Sequence, residues 1–321
     1  MTIQPTATQS QQRLMVRVAK MYYEHGARQP QIAQQLHISQ AKVSRLLKRA
    51  EELGIVRVTI HAPLGGYSEV EESLVAKYDL ADAIVVEANS EEESEIVSAV
   101  GGAAASYLSE VLLGQERIGI SSWSATLLAM VNSMPQSQRR VADSVVQVIG
   151  GVGEPQAQVQ ATRLTEQLAA LTGAAPQFLP APGFVSSAEL RSAFLAEPYI
   201  RAVSDAWSQL SILLAGIGSL EPSPLLRESG NAIPLTDQDE LRGQGAVGDV
   251  CLRFFDASGR AVHSSIENRV IGISAEVLRQ VPRRVGVAGG VRKHSAIRAA
   301  LLGGWVNVLV TDTRTAAALL A

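Results

Sequence analysis

The chain has 321 residues, 46% of them hydrophobic and only 4% aromatic, and carries a net charge of −3 at pH 7. Its one cysteine, Cys251, excludes a disulfide framework and any multi-cysteine metal site, and no uninterrupted apolar run reaches the roughly 18 residues a membrane helix needs. The polar, Gln- and Thr-rich start from Met1 to Arg13 is no secretory signal, so the chain reads as cytoplasmic.

The length suits one small and one large domain, and a composition rich in Ala, Val, Leu and Gly suits α/β packing better than a β-sandwich. The charge is unevenly spread. Through residue 62 there are nine Lys and Arg against three Glu, a surplus of six positive charges, whereas the remainder carries nineteen basic against twenty-eight acidic residues. A basic head on an acidic body fits a module that binds a phosphate backbone joined to one that does not. The expected division is a DNA-binding domain over 1–62 and a second domain over 63–321.

Within the basic head, residues 11–25 predict a first helix with Leu14, Val18, Met21 and Tyr22 at helical spacing, closed by Gly26, since a left-handed C-terminal residue is most often glycine. Pro30 suits the first turn of a second helix, with Ile32, Ala33 and Leu36 facing inward. Ser39 suits the N-cap of a third helix, whose core stripe is Val43, Leu46, Leu47 and Ala50. Gln40, Ala41, Ser44, Arg45 and Lys48 then share its outward face. Two short amphipathic helices about a tight turn, the second polar and basic, form the helix-turn-helix pattern, whose second helix enters the DNA major groove. Gln and Arg offer bidentate hydrogen bonds to base edges, while Lys42, Lys48 and Arg49 suit phosphates. The alternating run Ile55–Ile60 predicts the strand of a wing, with Arg57 near the backbone. The DNA-facing candidates are therefore Ser39, Gln40, Lys42, Ser44, Arg45, Lys48, Arg49 and Arg57.

From Tyr67 onward, strands alternate with helices. Strand-like runs fall at Ala83–Val86, Arg117–Ile120, Ser144–Ile149, Leu210–Leu214, Arg284–Ala288 and Val306–Val310, with helices between them such as Gln158–Leu171 and Lys293–Leu302. Short apolar runs separated by helices indicate a mainly parallel, Rossmann-like sheet covered on both faces, in which ligands bind beyond the carboxyl ends of the strands. Four glycine- or serine-rich turns stand there: Gly119–Thr126, Gly150–Gly153, Gly216–Ser219 and Ala288–Lys293. Free amides and hydroxyls in the first suit a phosphate or sugar hydroxyls, and Lys293 suits an anion.

Taken together, these motifs resemble the SorC (DeoR-like) family of bacterial transcriptional regulators over nearly the whole length. The resemblance rests on Ile32-Ala33, Val43–Ala50 and Gly54-Ile-Val; on Gly119-Ile-Ser-Ser-Trp123 with Thr126; on Gly150-Gly151; on Gly245–Asp249 followed by Phe254–Gly259; on Asn268–Gly272; and on Ala288–Lys293 with Ala300–Trp305 and Thr311-Asp312. It implies a winged helix-turn-helix joined to a sugar-binding effector domain similar to sugar-phosphate isomerase and deaminase folds. It also implies a homo-oligomer, commonly a tetramer, on palindromic double-stranded operator DNA, with a small sugar, polyol or sugar phosphate as effector and no cofactor or metal. The effector contacts it implies are Ser121, Ser122, Ser124, Thr126, Gly150, Gly151, Asp249 and Lys293. Arg163 is a further candidate for a phosphate or hydroxyl contact, and Glu267, Asn268 and Arg269 are expected to border the pocket. Ser124 stands where similar proteins usually have glycine, which narrows the approach to a ligand and points away from a phosphosugar.

Two other functions compete with a ligand-responsive regulator. An isomerase- or deaminase-like enzyme with a DNA-binding head needs an acid/base pair over its substrate, and none is apparent in the glycine turns; His294 beside Lys293 reads as structural, and no catalytic residue is expected. A DNA-bound structural protein with a vestigial pocket would show DNA affinity that no small molecule changes.

Overall fold

The computed structural model describes residues 7–56, 66–88, 90, 92–152, 155–221, 227 and 233–321. The contacts divide the chain into two compact units, residues 1–66 and 67–321.

The small unit holds α1 (Ala7–Ala19), a π-helical turn (Lys20–Glu24), α2 (Gln29–Leu36) and α3 (Gln40–Glu52). Val18, Met21, Ile32, Val43 and Leu47 form its core, with Met15, Ala19 and Ala50 beside them. Tyr22, expected to face inward, is instead exposed and packs edge-to-face on Tyr23, their ring centroids 4.9 Å apart. The π-turn explains the difference: its wider winding slips the 3.6-residue periodicity, so Met21 takes the buried position. Gly26 closes the segment at φ +65°, and His37 adopts φ 50° in the turn between α2 and α3. Ser39 caps α3 as expected, its Oγ accepting from the Lys42 amide at 3.2 Å. The expected wing strand falls largely on residues 57–60, and Arg57 with it, which lie outside the described residues.

In the large unit, α4 (Ser68–Tyr78) leads into β1 (Asp82–Val86), α5 (Glu93–Val111), β2 (Arg117–Ile120), α6 (Ala125–Ser133), β3 (Ser144–Gln147), α7 (Pro155–Thr172) and β4 (Ala175–Gln177). Next come α8 (Ala188–Ala196), α9 (Pro198–Ala206), β5 (Ile212–Ala215), β6 (Gly218–Ser219), α10 (Leu235–Gly243), β7 (Ala246–Val250) and β8 (Arg253–Asp256). The chain closes with α11 (Ala275–Gln280), β9 (Arg283–Val287), α12 (His294–Leu302), β10 (Val308–Asp312) and α13 (Thr313–Leu320).

Seven strands form one parallel sheet in the order β1-β10-β9-β5-β2-β3-β4. Alternate residues of each strand feed two separate cores. Ile118, Ile120, Ile212, Leu214, Val308 and Val310 pack on one face with α5, α6 and α7, while Leu213, Ala215 and Leu309 pack on the other. Burial on both faces is why these strands read as continuous apolar runs. A second, antiparallel sheet, β6-β7-β8, packs against α12. The β7–β8 turn places two consecutive side-chain-bearing residues, Cys251 and Leu252, at φ 57°, a conformation that side chains disfavour.

Both edges of the main sheet are blunted. On β1 the outward amides of Ala83 and Val85 donate to the side chains of Asp82 (2.9 Å) and Glu71 (2.8 Å). On β4, Ala175 donates inward to Asp143, so the next nitrogen outward is that of Pro176, which has no hydrogen to offer.

Candidate functional site

In the small unit, Gln40, Ala41, Lys42, Ser44, Arg45, Lys48 and Arg49 are all exposed on α3, on the faces left free by the buried stripe of Val43, Leu47 and Ala50. Arg45 Nε donates to the Ala41 carbonyl of its own helix at 3.2 Å, leaving the outer guanidinium nitrogens for another partner. Arg49 pairs with Glu52 at 2.9 Å. Such an exposed pair contributes less than about 1 kcal/mol, so a phosphate competes with it easily.

In the large unit a cavity of about 380 Å³ opens beyond the carboxyl ends of β2 and β5. The chain leaves β2 for β3 and β4 on one side of it and returns to place β5 on the other, so the cavity sits where the strand order reverses. Ser121 and Ser124 from the β2–α6 loop, Thr126 from the first turn of α6, Asp249 from β7 and Lys293 at the head of α12 all line it.

These hydroxyls are not equivalent. Thr126 Oγ1 donates to the Val287 carbonyl at 2.7 Å and so accepts from Ser124 Oγ at 2.9 Å. Ser124 Oγ also accepts from the Leu127 amide at 3.3 Å, capping α6. These two groups hold the loop rather than wait for a ligand. Ser121 is tied by its backbone to Leu214, and among the described residues its hydroxyl has no partner.

The charged floor is set by burial. Asp249 accepts from the Leu252 amide at 2.9 Å, which secures the strained β7–β8 turn, and its Oδ1 lies against Gly218, where a Cβ would come within 2.0 Å. Burial pushes the Asp249 carboxyl up to about 6, only partly offset by that amide and by Lys293. Burial likewise lowers the Lys293 ammonium, against the pull of Glu93 and Asp249. Among the described residues, the Lys293 ammonium makes no hydrogen bond or ion pair, while its backbone amide donates to the Gly290 carbonyl at 2.9 Å. Cys251 borders the cavity, but burial pushes its thiol up, so it is inert rather than nucleophilic.

Lys293 is positioned from two directions. Gly290, at φ +93°, donates to Asp312 Oδ2 at 2.8 Å and Thr315 Oγ1 at 3.0 Å, which pins the turn before it. Burial alone would raise the Asp312 carboxyl, but donors from Thr315 and Gly290 outweigh it and hold it below its ordinary value. The Gly-Gly and Thr-Asp motifs thus serve as a mount for Lys293.

Seven residues expected at or beside the pocket do not line the cavity. Ser122 is buried beneath it, donating to Ile149 (3.0 Å) and accepting from Gln147 (2.9 Å). Gly150 packs so closely that an added Cβ would lie 2.2 Å from the Pro182 carbonyl oxygen, and Gly151 is buried beside it. Arg163 is exposed on α7, away from the lining. Glu267, Asn268 and Arg269 form a short 3₁₀ turn elsewhere: Arg269 pairs with Asp237 at 2.6 Å and stacks on Phe184, while Glu267 meets His263. Conversely, the cavity mouth holds three charges that sequence reasoning missed. Arg292 reaches Glu93 at the start of α5 (3.4 Å) and Glu221 after β6 (3.6 Å).

Comparison with known proteins bears directly on this geometry. The Sugar-bind family model, describing a sugar-binding domain, matches residues 62–321. The sorbitol operon regulator of Klebsiella pneumoniae is 31% identical over 312 residues, covering 96% of this chain and 98% of the relative. The crystal structure of full-length SorC from Klebsiella pneumoniae superposes with a TM-score of 0.73 and covers 96% of this chain and 99% of its own. The chain belongs to the SorC family. The deoxyribonucleoside regulator of Bacillus subtilis (strain 168) is a further relative, 32% identical over 308 residues, with 96% of this chain and 97% of the relative covered. As a SorC-family member the protein is a sugar-responsive transcriptional regulator of an operon and not an enzyme, and the isomerase- or deaminase-like alternative is not favoured. Among the described residues, no helix is long and apolar enough to cross a membrane.

Proposed function

We propose that residues 1–62 bind double-stranded operator DNA through the outward face of α3, and that residues 63–321 bind a small sugar, polyol or sugar phosphate and assemble the chain into a homo-oligomer, a tetramer. In this reading the protein acts in the cytoplasm on a carbohydrate or polyol catabolic operon. Ser39, Gln40, Lys42, Ser44, Arg45, Lys48, Arg49 and Arg57 meet the DNA, and Ser121, Asp249 and Lys293 meet the effector, with Ser124 and Thr126 shaping the wall. The observation that carries the reading is the coexistence of an exposed, basic third helix and a separate polar cavity at the strand-order reversal. Effector binding shifts a two-state oligomer and so alters operator affinity.

Fluorescence anisotropy of labelled operator, with and without effector, tests this. Arg45→Ala is expected to cost about 1–3 kcal/mol on cognate DNA and far less on random DNA of equal length. An equal loss on both would remove the base-reading role, and DNA affinity insensitive to every sugar, polyol and sugar phosphate tried would remove the effector role.

A further inference from the structure

Resting on the assignment of this cavity as the effector site, its charges specify the ligand more narrowly. Glu93, Glu221 and Asp249 contribute three carboxylates to the lining, against the two cations Arg292 and Lys293. Arg292 is already engaged by both mouth carboxylates, at 3.4 and 3.6 Å, and Lys293 stands in the field of Glu93 and Asp249. A cleft lined in excess by one sign repels ligands of that sign.

Three helices begin at this cavity, α5, α6 and α12; α12 opens on Lys293 with no side-chain cap, while the other two have negative or accepting groups at their starts. Ser124 Oγ caps α6 through the Leu127 amide, and Glu93 occupies the first turn of α5 together with Glu95. The positive ends of α5 and α6 that would otherwise attract a phosphate are thus partly answered by the protein itself. A phosphate ester brings about −1.5 to −2 charges at pH 7 and gives up strong hydration to enter. A hydroxyl needs only a donor or an acceptor, and Ser121, Asp249 and Lys293 offer both kinds. The volume of about 380 Å³ lies near the lower end of the roughly 300–1,000 Å³ usual for small-molecule sites, which suits a small unmodified sugar or polyol.

We infer that the cavity takes an uncharged polyhydroxylated ligand in preference to its phosphate ester, with Glu93 and Glu221 as the residues that set this preference. Asp249 and Lys293 form an acceptor–donor pair for hydroxyls, and the mouth carboxylates add like-charge repulsion toward any incoming anion.

The test is isothermal titration of the full chain with matched pairs: glucitol and glucitol 6-phosphate, fructose and fructose 6-phosphate, ribose and ribose 5-phosphate. For the pair that binds, the neutral member is expected to bind at least tenfold more tightly. In the Glu93→Gln, Glu221→Gln double variant that ratio is expected to fall by tenfold or more. The two side chains are 65% and 75% exposed, so folding is not at stake. A phosphorylated member that binds more tightly, through binding that Lys293→Met abolishes, overturns the preference while leaving the cavity assignment standing. An unchanged ratio in the double variant overturns the role of the two glutamates. Binding that survives both Lys293→Met and Asp249→Asn, or no binding by any of the six compounds at millimolar concentration, overturns the cavity assignment and the preference with it.

Discussion

Gly150→Ala is expected to destabilise the large unit by about 3 kcal/mol, the upper end of the usual cost of overpacking a well-filled site. The new methyl would sit 2.2 Å from the Pro182 carbonyl oxygen and 2.5 Å from that of Ala181, so it meets backbone, not a side chain able to swing away. Relief by moving Gly150 itself is blocked on both sides, because its amide donates to Ile271 at 3.0 Å and its carbonyl accepts from Trp123 Nε1 at 3.4 Å. Urea unfolding followed by circular dichroism measures the effect. A variant of native stability that had lost its effector response would instead restore Gly150 as a ligand contact.

Asp249→Asn is expected to act in the opposite direction on stability and to disable the response. The folded-state carboxyl titrates near 6, above its ordinary value of 3.8, so the native state holds a proton that the unfolded chain has released. Stability therefore falls as pH rises from about 4 to about 6 and stays low above that, a loss of about 2–3 kcal/mol at pH 7. Asparagine keeps an oxygen for the Leu252 amide and never ionises. The variant should be more stable than the parent at pH 7.5, and the difference should close near pH 4. Its effector affinity should drop by 10- to 100-fold, since a hydrogen bond to a charged group contributes about 1.5–3 kcal/mol. A single carboxylate that costs stability while serving a ligand is the usual trade at a binding site. Parallel pH profiles for the two proteins would sink the account of Asp249 as a destabilising buried carboxylate.

The parts of the fold legible in the sequence are those whose burial follows a regular pattern along the chain. Arg117–Ile120 and Val308–Val310 show as apolar runs because both faces of the sheet are covered, and the core stripe of α3 shows because one face of the helix is wet. The short edge strand β4 and the two-residue β6 carry too few residues for any periodicity. Glycines misled for a physical reason. One at a strand end looks the same in sequence whether it borders the cavity and makes room for Ser124, as at Gly216, or packs on the Pro182 backbone, as at Gly150. The same ambiguity hid Ser122 under the floor while Ser121 faced the cavity. The mouth was invisible because Arg292 and Glu93 are 199 residues apart, and only the parallel sheet brings their elements together. A hint was present in the adjacent cations Arg292 and Lys293, two charges that need answering.

The blunted sheet edges bear on how copies of this protein meet. Extending the main sheet with a strand from another molecule would mean evicting Asp82 or Glu71 from the amides of β1, or pairing with a proline on β4. Assembly by strand addition is closed at both ends. A high local concentration of this chain therefore does not invite runaway growth of this sheet.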